Sequence, residues 1–310
     1  MKIVFLDAQT MGKDMDLSLF ESFGEFHTYE TTSPSECALH IADANIVLTN
    51  KVVIDKAAMD ACPNLQLICV TATGTNNVDL VYASEKGIVV KNVAGYSTAS
   101  VAQTTIMLAL SLISHCRYYD DFVKKGGWVE APTFTHIERP FGEIKGKRWG
   151  IIGLGTIGKE VAKIATAFGA EVVYYSTSGA NNDALYQRVS LEEMLQTCSI
   201  ISIHAPLNAQ TKGLIDEKAL REMKEGSILV NVGRGGIIDE IALAKIIDEK
   251  ELYVGLDVLE AEPMQKGHPL LHVKHQERLI VTPHIAWSSI EARTSLLRLV
   301  AQNIQTFLNY

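Results

Sequence analysis

The sequence has no apolar run approaching the roughly 20 residues that a membrane-crossing helix needs, which excludes a protein built from such helices. The start, Met1-Lys2-Ile3-Val4-Phe5-Leu6-Asp7, reaches an acid after only four apolar positions. That pattern reads as a buried strand, without the longer apolar region of a secretory signal, so a cytoplasmic chain is the expectation. Cysteine is scarce and scattered: Cys37, Cys62, Cys69, Cys116 and Cys198 are odd in number and form no CxxC pair. Neither a zinc ribbon nor a disulfide framework follows from such spacing. The thiols read as small, reduced hydrophobes. Basic side chains are also in deficit, 28 against 36 acidic, for a net charge of −8. A nucleic-acid backbone would be repelled on average. The tight basic cluster Lys145-Gly146-Lys147-Arg148 reads as a solvated turn before a strand.

What is present is the composition of a globular chain, 47% hydrophobic and 21% charged. Its 310 residues are too many for one ordinary core, so two domains are expected. Short β-branched runs alternate with longer segments of helical period, the mark of βαβ units and parallel sheets. A first set of strands is expected at Ile3–Asp7, Asn45–Thr49, Leu65–Thr71 and Val89–Asn92. A second set reads Trp149–Ile152, Glu171–Tyr175, Ile200–His204, Ser227–Val232, Tyr253–Val258 and Leu279–Thr282. A long apolar helix, about Thr98 to His115, separates the sets. Another, about Ser288 to Leu308, closes the chain with Leu296, Leu297, Val300, Ile304 and Phe307 at helical spacing. Ser190-Leu191-Glu192-Glu193 has the pattern of a capping box, in which two side chains satisfy two backbone donors reciprocally.

Gly153-Leu154-Gly155-Thr156-Ile157-Gly158 directly follows a strand and opens a helix running to Phe168. In that context the first glycine permits a tight turn, the second lets backbone approach a pyrophosphate, and the third allows helix–strand packing. The N–H groups of Thr156 and Ile157 would then point at phosphates, where the helix dipole favours negative charge. An acid at the end of the next strand would bond the ribose hydroxyls of NAD and repel the extra phosphate of NADP. Ser176 stands there instead, followed by Thr177-Ser178-Gly179, and no Arg or Lys appears before Arg188. Both nicotinamide cofactors stay open, with NAD ahead and NADP possible.

Three polar residues follow successive strands of the second set: Arg234 in Asn231-Val232-Gly233-Arg234-Gly235, Glu262 in Glu260-Ala261-Glu262-Pro263, and His284 in Thr282-Pro283-His284. Open α/β sheets bind ligands beyond the carboxyl ends of their strands, so chemistry is sought there. Taken singly, each has an ordinary reading as a turn tie, a loop acid or a helix cap.

Taken together and in order, these motifs resemble the D-isomer-specific 2-hydroxyacid dehydrogenases over essentially the whole chain. Thr73-Gly74-Thr75-Asn76-Asn77-Val78-Asp79 looks like the family's substrate loop, and Ser100-Val101-Ala102-Gln103 like the start of its interdomain helix. The glycine fingerprint follows, then His204-Ala205-Pro206-Leu207 with Thr211, then the three catalytic motifs. Within the family, the likeness is greatest to glycerate dehydrogenases, also called hydroxypyruvate reductases.

The resemblance implies two doubly wound α/β domains. Residues 1–98 with 286–310 would form a discontinuous, flavodoxin-like substrate domain, and 99–285 a Rossmann dinucleotide-binding domain. It implies hydride transfer between NAD(P)H and a small 2-oxo acid, giving the D-2-hydroxy acid. Arg234 would grip the substrate carboxylate and polarise its carbonyl with a fixed fork of donors. His284 would protonate the carbonyl oxygen, and Glu262 would bond the other ring nitrogen and favour the charged ring. Thr73 and Gly74 would add backbone donors to the carboxylate site, and Trp287 would wall the pocket or serve as a core residue. The cofactor would meet Gly153, Gly155, Thr156, Ile157, Gly158, Ser176, His204, Ala205, Pro206, Thr211, Val232, Gly233, Arg234 and Asp257, the last facing the nicotinamide.

Gln103 and Ser176 depart from the family's usual residues, and Ser176 bears on cofactor choice. His268, His272 and His275 have a spacing that would align on a helix, but Pro269 spoils it and no metal site is expected. A homodimer is expected because Val101 to Leu112 is more continuously apolar than a one-faced surface helix. Two rivals share the fold: a nucleotide-sensing binding protein of corepressor type, and a dehydrogenase of the D-lactate type. The substrate panel of glyoxylate, hydroxypyruvate, pyruvate and bulkier 2-oxo acids stays open.

Overall fold

The computed structural model describes residues 1–309, which divide into two compact units, Met1–Ser97 with the chain from Trp287 onward, and Thr98–Ala286. Both are parallel α/β sheets, as the alternating pattern predicts.

The first unit is built on β1 (Lys2–Phe5), β2 (Glu25–Thr28), β3 (Ile46–Thr49), β4 (Leu67–Val70) and β5 (Val89–Lys91), in the order β2-β1-β3-β4-β5. This is the flavodoxin-like order. Strand β2 is not evident in the sequence, because Glu-Phe-His-Thr at a sheet edge pairs only with β1 and stays largely exposed. Short helices α1 (Cys37–Ile41), α2 (Lys56–Asp60) and α3 (Leu80–Glu85) connect the strands, with Asp55 and Asp79 accepting backbone N–H bonds as N-caps of the last two. Buried Asp7 at the end of β1 accepts from the amides of Asn50, Lys51 and Val52 and so pins the loop after β3.

The second unit begins with α4 (Thr98–Ile113), bends into α5 (Cys116–Lys124), and continues through β6 (Arg148–Ile152), α6 (Thr156–Ala167) and β7 (Glu171–Tyr175). Then come β8 (Gln187–Arg188), α7 (Leu191–Thr197), β9 (Ile200–Ile203), α8 (Glu217–Glu222), β10 (Ser227–Asn231), α9 (Glu240–Glu249), β11 (Leu252–Leu256) and β12 (Leu279–Val281). The sheet order is β12-β11-β10-β9-β6-β7-β8, a Rossmann arrangement whose order reverses between β6 and β9. Two-residue β8 is too short to give a periodic signal, yet it pairs Tyr174 with Arg188. Ser190 caps α7 by accepting from Glu193 N, but the return bond expected of a capping box is not made. The Glu193 carboxylate takes Arg148 instead, at 2.7 Å, because β6 brings a cation to it.

The closing helix α10 (Ile290–Leu308), capped by Ser289, belongs to the first unit. Its Leu296, Leu297, Val300 and Ile304 pack with Ile3, Phe5, Ile46, Leu48 and Leu67. Each such side chain, fully buried, contributes about 1.5–3 kcal/mol. Much of the apolar run of α4 is buried. Val101, Ala102, Leu108, Ala109 and Leu112 are buried, and Gly255 of β11 leaves room for Leu108, whose Cβ would lie 3.0 Å from a Cβ placed there. Met107, on the same helix, stays 45% exposed, so part of that run is open. Further unburied apolar surface lies in the segment after α5, where Trp128, Val129, Phe134, Ile137 and Phe141 are all exposed.

Among the described residues no single helix is long and apolar enough to cross a membrane, and α4 with α5 passes only as a pair bent by 63°. Cys37, Cys62, Cys69 and Cys198 are free and buried, and Cys116 is free and exposed. Burial pushes the Cys69 thiol up to about 12 and those of Cys37 and Cys198 up to about 11, which keeps them as unreactive thiols.

Candidate active site

The glycine loop sits at the point where the strand order of the second unit reverses. Gly153 leaves β6 with φ +89°, and a Cβ there would come within 2.9–3.1 Å of Ala205 and His204 backbone atoms after β9. Gly158 lies in the first turn of α6, where a Cβ would stand 2.3 Å from the carbonyl oxygen of Gly153. Any larger residue would therefore push the helix off the strand. Gly155, between them, faces open space, and it is the N-cap of α6 without a side-chain bond to the first amides. The exposed start of a twelve-residue helix, with Thr156 at its head and no acid in the first turn, is suited to an anion.

His204 adds a second observation. Trp149 Nε1 donates to Ser202 Oγ at 3.0 Å, and that hydroxyl lies 3.0 Å from His204 Nε2. With Oγ accepting from Trp149, its hydrogen is available to Nε2, which puts the ring proton on Nδ1. Nδ1 is covered and meets no partner in the protein. Burial drives this imidazole down to about 3, so it stays neutral. An orphaned neutral donor beside a glycine loop and an open helix start is a fit for a dinucleotide.

Other residues expected to meet the cofactor are buried or closely packed. Thr211 is fully buried and bonds Pro206 O at 2.6 Å, bracing the loop that carries Ala205 and Pro206. Val232 is buried, and Gly233 approaches the carbonyls of Ile203 and Ala205 so closely that a Cβ would sit 3.2 Å from each. Ser176 is turned inward, 4% exposed, with Oγ accepting from Asn181 N at 3.3 Å and its carbonyl closing a turn with Gly179. Arg188, which the sequence separates from that turn by nine residues, donates to Gly179 O at 2.9 Å. The pairing of β8 with β7 brings it there. Its signal was missed because β8 itself is invisible in the sequence.

Of the three polar residues after β10, β11 and β12, His284 and Glu262 meet directly, while Arg234 Nη1 donates to Gly233 O at 2.8 Å. His284 Nδ1 lies 2.7 Å from Glu262 Oε2, and Glu262 Oε1 accepts from Leu259 N at 3.0 Å. The carboxylate is thus fixed at both oxygens, and the ring turns Nδ1 rather than Nε2 to it. Arg234 is exposed on a turn stapled by Asn231, whose side chain donates to Arg234 O and accepts from Gly233 N. Neither the staple nor its geometry is evident from sequence. At Gly235 a Cβ would lie 1.9 Å from Leu259 C and O, so the turn bearing Arg234 rests directly on the loop bearing Glu262.

His284 is one of two non-glycine residues with positive φ among those described, at 54°. That conformation costs roughly 1–2 kcal/mol and persists only when its surroundings impose it. Asp257 imposes it. This 1%-exposed carboxylate accepts from Thr282 Oγ1 at 2.6 Å, Ile285 N at 2.9 Å and Ala286 N at 2.8 Å, on both sides of His284. Burial raises its carboxyl above the usual range, opposed by those hydrogen bonds. Its visible task is holding the histidine segment.

In the first unit, Thr73 lies after β4, exposed, with its hydroxyl on Val93 O at 3.0 Å and its carbonyl accepting from Asn92. Gly74 follows it in the same loop. Trp287 packs against that unit's core, with Tyr96 edge-on at 6.3 Å between ring centroids. The three histidines at 268, 272 and 275 do not share a helix. They flank two short 3-10 turns, and no group of three or more metal-ligating side chains occurs among the described residues.

Residues 106–286 match the family model described as the D-isomer specific 2-hydroxyacid dehydrogenase NAD binding domain. A hydroxypyruvate reductase of Blautia hydrogenotrophica is 37% identical, the match covering 99% of this chain and 97% of that one. A glycerate dehydrogenase of Methylorubrum extorquens is 34% identical over 99% and 96%. Among solved structures, an acyclic imino acid reductase in complex with NADPH and D-Arg superposes with a TM-score of 0.86 at 28% identity, covering 100% of this chain and 97% of that one.

Proposed function

The chain belongs to the D-isomer-specific 2-hydroxyacid dehydrogenases, NAD-binding oxidoreductases, and on that basis we propose that it reduces glyoxylate or hydroxypyruvate to glycolate or D-glycerate. The observation that carries the reading is the 2.7 Å bond between His284 Nδ1 and Glu262 Oε2, which leaves Nε2 as the proton-exchanging atom.

A nicotinamide cofactor held at the glycine loop would supply the hydride for the carbonyl carbon. His284 gives its Nε2 proton to the carbonyl oxygen, completing a two-electron reduction to the alcohol. Glu262 holds the ring and balances the positive charge that it carries before transfer and loses on it. Arg234 engages the substrate carboxylate through two parallel N–H bonds and draws charge from the adjacent carbonyl. On this reading the first unit, with Thr73 and Gly74, is the substrate domain and the second the dinucleotide domain. Gly155, Thr156, Ile157 and Gly158 would receive the pyrophosphate, and His204 Nδ1 would be a further donor to the cofactor. The exposed apolar segment between α5 and β6 supports a homodimer.

The test is a panel of 2-oxo acids assayed separately with NADH and NADPH, with product configuration read by chiral chromatography. Hydroxypyruvate and glyoxylate should give the highest kcat/KM, and hydroxypyruvate should give D-glycerate. A preference for pyruvate or branched 2-oxo acids would move the assignment to the D-lactate type. No cofactor oxidation with any of them would leave a nucleotide-binding protein.

A further inference from the structure

His268 has no part in the chemistry above, yet its side chain is largely enclosed, 11% exposed beside that of Glu240 at 9%. Its Nδ1 accepts from Leu270 N at 3.3 Å, which places the ring proton on Nε2. Nε2 therefore donates to Glu240 Oε2 at 2.9 Å as a neutral ring. The other oxygen of Glu240 accepts from Glu260 N at 2.6 Å. One carboxylate thus holds both ends of the segment from Glu260 to His268.

Glu262 lies within that segment. The consecutive amides of Leu259 and Glu260 are shared out between two carboxylates, the first going to Glu262 Oε1 and the second to Glu240 Oε1. The peptide between them has Gly235 backbone against its other side, with no room for a Cβ. Glu240 can reach across because Asp239, the N-cap of α9, already serves the amides of Ile241 and Ala242.

We infer that Glu240 and His268 form a clasp that sets the Glu262 loop in the register placing its carboxylate against His284. Both are positioning residues, acting through Glu262 and resting on the reading of His284 as proton donor. The charged groups that face His284 include Glu262 at 2.7 Å and Asp257 behind its loop. A substitution at His268 removes neither, and it removes a neutral ring. Any change in the protonation of His284 must therefore come through geometry.

The experiment compares the parent chain with His268→Ala, His268→Gln and His268→Met, each alone and with Glu262→Gln, all checked for folding by circular dichroism. Two quantities are read against pH: the His284 ring-proton NMR shifts without substrate, and the rate of hydroxypyruvate reduction with NADH. His268→Ala should move both transitions to lower pH by about one unit, about a tenfold loss of rate on the alkaline side. His268→Gln, which again offers Glu240 a donor, should restore them. With Glu262→Gln present, His268→Ala should add nothing, since residues acting through one another are not additive. Should the alanine variant not fold, His268→Met fills the space without a donor and carries the same expectation. A lower melting temperature with unmoved transitions overturns the clasp, as does an undiminished shift in the Glu262→Gln background. If the parent reduces no 2-oxo acid, the proposed function fails while the NMR arm still decides the clasp.

Discussion

Asp257→Ala tests the account of how the histidine is held. The substitution takes the acceptor from two backbone amides, Ile285 and Ala286, and from the Thr282 hydroxyl, in a place only 1% exposed. An unsatisfied buried donor costs about 1–3 kcal/mol, so the two amides together cost about 2–6 kcal/mol. Relief of the left-handed His284 backbone, worth roughly 1–2 kcal/mol, returns part of this as the segment relaxes. A net loss of about 1–4 kcal/mol in a unit of this size lowers Tm by about 2–16 °C. Differential scanning fluorimetry at pH 7 measures it. The relaxed histidine no longer meets Glu262, so turnover should fall at least tenfold while cofactor affinity, measured by fluorescence titration, holds. Asp257→Asn, which keeps one acceptor oxygen, should fall between. The pH dependence has a definite sign. Burial raises this carboxyl in the folded state, so its contribution is greatest below the unfolded value and declines as pH rises through the folded one. The deficit of the variant should therefore be larger in acid than at neutral pH. A Tm within 2 °C of the parent together with parental turnover would refute the holding role.

His284→Ala should lower turnover by a factor on the order of 10²–10⁴ with little change in cofactor binding, and near-normal turnover would remove the mechanism. Glu262→Gln keeps a hydrogen bond but removes a charge, so 2-oxo acid reduction should begin to fall at lower pH than in the parent, as read from the pH–rate profile. Because Arg188 is bonded to the turn beginning at Ser176, Arg188→Ala should weaken NADPH more than NADH, and Ser176→Asp should shift preference the same way; an unchanged NADH/NADPH ratio in both would misplace the ribose site. Phe134→Glu with Ile137→Glu, at positions 89% and 73% exposed, should turn a dimer into a monomer in sedimentation, and a parent that sediments as a concentration-independent monomer would refute the dimer.

Local patterns in this chain carry information wherever the physics is local. Ten of the strands are short apolar runs whose buried pattern is written in consecutive residues, and the glycine loop is legible because turn, approach and helix packing fall within six positions. Arg234, Glu262 and His284 stand out as polar residues just past strand ends, and the order of the motifs identifies the family. Tertiary structure decided what depends on distant partners. Edge strand β2 and two-residue β8 have almost no burial of their own and exist through pairing, so Arg188 reaches its turn only in the fold. Asp257 reads as one more acid after a strand until its oxygens are seen to hold the backbone on both sides of His284. His268 reads as a member of a failed metal pattern, and only packing joins it to Glu240 across 28 residues and so to the loop of Glu262. A side chain's chemical type is a property of the sequence, but what it bonds inside a low-dielectric core is set by which groups folding leaves within 3 Å of it.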